Sequence, residues 1–143
     1  MTVVLDAVII TKIFLSAAIG ILVGLERSLS RNPAGTRTHA LVCMGSCLFT
    51  IISLDLGSPT EFARVLPGIV TGIGFIGGGI IYQSRQGGKR GLTTAADIWS
   101  MAAVGILVGM GSYGVALVAA LVILFILRPL KLLEKKLGIK TAL

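Results

Sequence analysis

Charge is the first thing this sequence is short of. Asp, Glu, Lys and Arg make up 13% of its 143 residues, about half the roughly 25% of an ordinary soluble domain. With 55% hydrophobic residues and a mean hydropathy of +0.96, the polar shell of a water-soluble protein is missing. Histidine occurs once, as His39, and cysteine twice, as Cys43 and Cys47. Two cysteines at that spacing do not make a zinc site, which needs four ligands; they read as small packing residues, or as a redox or ligand pair. No Gly-x-Ser-x-Gly nucleophile and no lysine-containing phosphate loop occurs, so no catalytic constellation emerges and no enzyme is expected. The start carries Asp6 and no basic stretch, so no secretory leader is expected.

What the chain has in abundance is apolar runs. A helix needs about 20 mostly apolar residues to cross a bilayer. Span 1 runs from about Ile9 to Leu25, span 2 from His39 to Leu56, and span 3 from Val65 to Tyr82. From Ile98 to Leu127 no residue is charged, and those 30 residues would make about 45 Å of helix. That is too long for one crossing of a core about 30 Å thick. The turn composition Gly109-Met110-Gly111-Ser112-Tyr113-Gly114 divides it into span 4, about Leu92 to Val108, and span 5, about Tyr113 to Leu127. The expected fold is all-α: a polytopic membrane helical bundle of about five transmembrane helices.

The basic residues test that count. With five spans, Arg27, Arg31, Arg37, Arg85, Lys89, Arg90 and the five of the tail after span 5 share one side, leaving only Lys12 and Arg64 on the other. With four spans the tail charges would change sides and the bias would nearly vanish. The positive-inside rule then puts the N-terminus outside and the C-terminus in the cytoplasm. Residues 1–127 form the membrane domain and residues 128–143 a basic amphipathic cytoplasmic tail in which Leu130, Leu133 and Leu137 share a face. The net charge of +7 is explained by the lipid bilayer as partner, with no nucleic acid. Lys12 is expected to snorkel outward.

Gly72-Ile73-Gly74-Phe75-Ile76-Gly77 spells a dinucleotide fingerprint. That motif needs a strand before it and a βαβ unit around it, whereas these glycines sit inside an apolar span among other spans. In a membrane, glycine lets helix backbones approach closely. Gly20 and Gly24, Gly68 and Gly72, Gly74 and Gly78, and Gly105 and Gly109 make four such i, i+4 steps. They predict a tight bundle and self-association into a homodimer or other homo-oligomer. Alternatively, Gly77, Gly78 and Gly79 break span 3 and expose carbonyls to a site.

Asp97 lies about 9 Å into the membrane at helical rise, where a lone carboxylate is costly. Glu26 and Arg27 end span 1 on the same side; Arg37, Thr38 and His39 open span 2; Arg90, Thr93 and Thr94 open span 4. The topology gathers these nine residues into one cytoplasmic-side layer. It is either an ion-pair network closing the bundle, with Asp97 on Arg37 or Arg90, or a pocket for a cation or anionic ligand. No cofactor is expected except that Glu26 and Asp97 offer two carboxylates to Mg²⁺, against which the arginines argue. His39 alone reads as a helix-end hydrogen-bonding residue. Trp99 and Tyr82 on this side and Tyr113 on the other fit interfacial anchoring.

Gly20–Phe49, with its Gly-Leu-Glu-Arg and Pro-Ala-Gly-x-Arg-Thr-His blocks, then Gly68–Tyr82, then Arg90–Leu117, with Arg-Gly-Leu-Thr-Thr-Ala-Ala-x-x-Trp, resemble in order the MgtC/SapB family of bacterial inner-membrane proteins. The likeness covers about Ile9 to Leu127. It implies a multi-pass inner-membrane protein, often oligomeric, of a family linked to magnesium limitation and membrane energetics through membrane-protein partners such as the ATP synthase. Carried over by motif are Glu26, Arg27, Pro33, Gly35, Arg37, Thr38, His39, Gly74, Gly77, Gly78, Gly79, Arg90, Gly91, Thr93, Thr94, Asp97 and Trp99. Virulence-type members continue into a soluble domain, whereas this sequence ends at Leu143, so roles residing in that domain are not expected here. The functional expectation is a non-enzymatic regulator of adaptation to Mg²⁺ limitation or of membrane energetics. The alternative is a transporter or channel for Mg²⁺ or another small solute.

Overall fold

The computed structural model describes residues 6–56, 59–84 and 91–138. Five helices are each long and apolar enough to cross a membrane: α1 (Ala7–Leu29), α2 (Thr36–Asp55), α3 (Pro59–Ser84), α4 (Leu92–Gly109) and α5 (Tyr113–Phe125), the last continuing through a π-helical stretch, Ile126–Leu130, into α6 (Lys131–Lys136). No strand occurs among the described residues. Phe14, Phe75 and Val118 are 71%, 86% and 61% exposed, and they are three of many large apolar side chains facing outward. Lipid is the solvent that such a surface requires. The protein is a multi-pass membrane protein.

Local chemistry sets the helix ends. Asp6 caps α1 by accepting from the Ile9 amide at 2.8 Å. At the far end of α1, the Arg31 amide reaches the Ser28 carbonyl and the Asn32 amide reaches the Arg27 carbonyl, a Schellman closure with Arg31 at φ 54. Between α4 and α5 the same closure recurs with glycine in the left-handed position: Gly111 at φ +82 reaches Val108, and Ser112 reaches Leu107. This pair of bonds turns the long uncharged run into two helices.

The helices are not equal in burial. In α4, 61% of the spanning window is buried, against 17% in α3 and 18% in α5. So α4 is the hub, packed against α2 and meeting α1 at both ends through Arg27 and Lys12, and α3 and α5 are peripheral. The core gathers Val23, Cys43, Cys47, Ile98, Met101, Val104 and Val108.

Glycine explains how closely α2 is held by both α1 and α4. A Cβ on Gly20 would lie 2.6 Å from the His39 carbonyl oxygen, and one on Gly24 2.5 Å from the Thr36 Cα. Further along α2, a Cβ on Gly105 would collide with the Cys43 carbonyl and one on Gly109 would stand 2.7 Å from the Thr50 Cβ. Backbone thus lies against backbone along both seams. Thr50 and Ser53, buried on α2, stay satisfied within the helix: Thr50 Oγ1 donates to the Ser46 carbonyl and Ser53 Oγ to the Thr50 carbonyl, both at 2.8 Å.

The glycines of α3 behave differently. Gly77 rests on Ala95 at ordinary contact distance, but Gly68, Gly72, Gly74, Gly78 and Gly79 face no atom that a Cβ would touch. None of these five is closely packed by another described residue. Nor is α3 broken at Gly77–Gly79: the helix runs unbroken to Ser84.

Candidate functional site

The end of α1 and the starts of α2 and α4 meet at one level of the bundle, as their alternating directions require. Five polar side chains are buried there: Glu26 and Arg27 from α1, His39 from α2, and Thr94 and Asp97 from α4. Asp97 is at the centre. Its Oδ2 lies 2.8 Å from His39 Nε2 and 3.0 Å from Arg27 Nε. The Arg27 contact is an ion pair without an aligned N–H, since that group makes no hydrogen bond of good geometry. Arg27 also donates through Nη2 to Thr94 Oγ1 at 3.0 Å, which ties α1 to the first turn of α4.

Glu26 belongs to the same layer more loosely. Its Oε1 accepts from Ser30 Oγ at 2.7 Å, and its Oε2 stands 3.9 Å from Arg27 Nη1. His39 is completely enclosed, with Nδ1 2.8 Å from the Gly35 carbonyl and Nε2 on Asp97. Glycine makes this reach geometrically available, because Gly24 admits the His39 Cβ at 3.0 Å from where its own Cβ would be. Two carboxylate oxygens, Glu26 Oε2 and Asp97 Oδ1, are buried with no donor. Such groups are exceptional in native proteins.

Of the nine residues singled out in the sequence, five are thus brought together: Glu26, Arg27, His39, Thr94 and Asp97. Arg37 and Thr93 are exposed and Thr38 is half-buried, while Arg90 lies outside the described residues. Among the described residues Asp97 is therefore paired with Arg27 rather than Arg37, because Arg37 points away from the bundle. His39 is more than a helix-end residue, since it links the α2 start to Asp97. Two supporting serines escaped notice. Ser30 sits one turn after Glu26 at i, i+4 spacing, a signal that was available. Ser28 Oγ accepts from the Thr36 amide at 2.9 Å and shares a hydrogen bond with Thr36 Oγ1, capping α2 from a different helix, which no local pattern announces.

Magnesium does not fit this layer as a resident ion. Mg²⁺ keeps several waters and is held by one or two carboxylates in near-octahedral array, but both carboxylates here already face a cation. Arg27 stands against both carboxylates. Among the described residues no group of three or more His, Cys, Asp or Glu could hold a metal.

A profile of the MgtC family matches residues 13–136. Among curated relatives, Protein MgtC of Salmonella typhimurium (strain LT2) is 40% identical over 115 residues, covering 80% of this chain and 49% of that protein. Protein SrpB of Synechococcus elongatus is 35% identical over 137 residues, covering 87% of this chain and 75% of its own length. Protein SapB of Bacillus subtilis is 34% identical over 142 residues, covering 94% and 61%. No solved structure matches significantly.

Proposed function

The chain belongs to the MgtC family, and on that premise we propose that it is a non-enzymatic regulator in the cell's inner membrane, serving adaptation to Mg²⁺ limitation or membrane energetics through its buried polar layer. The observation that carries this reading is the pairing of Asp97 with both Arg27 and His39. A carboxylate committed to two partners from two other helices links their positions; it is poorly placed to pass ions along a path. The unbroken α3 supplies no carbonyl-lined site either. In this reading the α1–α2 and α3–α4 loops and the C-terminal tail face the cytoplasm. The glycines on α3 that no residue covers, Gly74 and Gly78 among them, receive a second copy of the chain or a helix of a membrane partner.

Two measurements made together test the proposal. In a bacterial strain lacking its own family member, the wild-type chain restores growth at low Mg²⁺ and Asp97→Asn, present at equal membrane level, does not. In liposomes, the purified protein leaves divalent-cation flux at the level of protein-free vesicles. Saturable flux abolished by Asp97→Asn, or growth indifferent to the chain, overturns the reading.

A further inference from the structure

We infer that the contact between His39 and Asp97 is a proton-binding site: the closed junction of α1, α2 and α4 holds one proton on the His39 imidazole. The argument rests on which atoms face which. Nδ1 lies 2.8 Å from the Gly35 carbonyl oxygen, which can only accept, so Nδ1 carries a hydrogen. Nε2 lies 2.8 Å from Asp97 Oδ2, and an ionised carboxylate can only accept, so Nε2 carries one as well. A neutral imidazole has a single N–H and cannot serve both. The usual ambiguity between tautomers disappears here, because neither tautomer satisfies both contacts.

The proton could in principle be counted on Asp97 instead. Arg27 decides against that. Its guanidinium, positively charged and able only to donate, stands 3.0 Å from the same Oδ2 and pairs with it as a carboxylate. The charge balance of the layer agrees. Around His39 the charged groups among the described residues are Glu26 and Arg27 from α1 and Asp97 from α4. With the imidazolium present, two positive charges meet two negative ones. Without it, one negative charge among side chains at most 9% exposed has no positive counterpart among the described residues, a costly state inside a membrane protein. It would also set a nitrogen lone pair against a carboxylate oxygen at 2.8 Å. Occupancy of the site by the proton is thereby linked to the docking of all three helices.

That the regulator senses this proton rests on the reading proposed above; the proton itself does not. Because the chain has a single histidine, its ring nitrogens can be observed without assignment. The protein labelled with ¹⁵N-histidine, reconstituted in lipid bilayers at neutral pH, is read by magic-angle-spinning NMR. Both ring nitrogens are expected to show N–H signals, with no unprotonated nitrogen resonance. In Asp97→Asn, which preserves the shape of the side chain, one nitrogen loses its hydrogen while Nδ1 keeps the Gly35 contact. A wild-type ring with one unprotonated nitrogen overturns the inference. So does an Asp97→Asn ring that stays doubly protonated. The wild-type spectrum decides even if the variant does not fold. Failure here leaves the growth and flux tests untouched, so the two ideas can fall separately.

Discussion

The Lys12 ammonium donates to the Gly109 carbonyl across 2.8 Å, fastening the start of α1 to the end of α4 on the side of the bundle opposite the polar layer. A cation at a helix C-terminus meets both an orphan carbonyl and the negative end of the helix dipole. Lys12 therefore turns inward to a partner, where outward snorkelling was the expectation from sequence. Lys12→Met keeps the apolar stem and removes the charge. It is expected to lower stability against SDS unfolding by about 1 kcal/mol, below the roughly 1.5–3 kcal/mol of a fully buried charged hydrogen bond because the site is only part-buried. No change would show that the contact contributes nothing.

The two classes of glycine should respond in opposite ways. Gly105→Ala drives a methyl group into the Cys43 carbonyl, a clash with backbone that side-chain rotation cannot relieve. The loss should be about 1–3 kcal/mol, outweighing the helix-propensity gain of alanine, about 1 kcal/mol. Gly74→Ala meets nothing within its own chain and should leave the monomer unchanged or slightly more stable. Unfolding curves of both variants in one detergent check this. If Gly74→Ile leaves the monomer intact but abolishes self-association by analytical ultracentrifugation, the uncovered α3 face is the interface between copies; unaltered association excludes it.

Cys43 and Cys47 are free, and neither has exposed surface. Cys47 Sγ leans on the Lys12 carbonyl at 3.7 Å. Thiol reagents need an accessible thiolate, so a maleimide added to the folded protein should label neither residue on the timescale that labels both after denaturation in SDS. Equal rates in the two states would mean that the α1–α2 seam opens freely.

Much of this architecture could be read before any coordinates. The five crossings followed from apolar length, and the division near Gly109–Gly114 followed from turn composition; Gly111 at φ +82 shows why glycine was needed there. The meeting of Glu26, His39 and Asp97 at one level followed from topology alone. What could not be read was rotation about the helix axes. Arg27 and Arg37 stand equally near span ends in the sequence, yet one points into the bundle and the other away, and only packing decides which. The same holds for glycine. Gly105 and Gly74 look alike as members of i, i+4 pairs, but one lies against α2 and the other faces outward.

The account depends most on Asp97 and Arg27 being a coupled pair that seals the junction, and a double-mutant cycle measures that coupling directly. Asp97→Leu alone strands the Arg27 charge and should cost about 3–5 kcal/mol, as should Arg27→Met alone by stranding the carboxylate. The double variant Arg27→Met/Asp97→Leu replaces the pair by apolar groups and should recover most of the loss, giving a coupling energy above about 1.5 kcal/mol in unfolding measurements. Losses that simply add, with coupling near zero, would mean that the two side chains act independently, and the sealed junction described here would be contradicted.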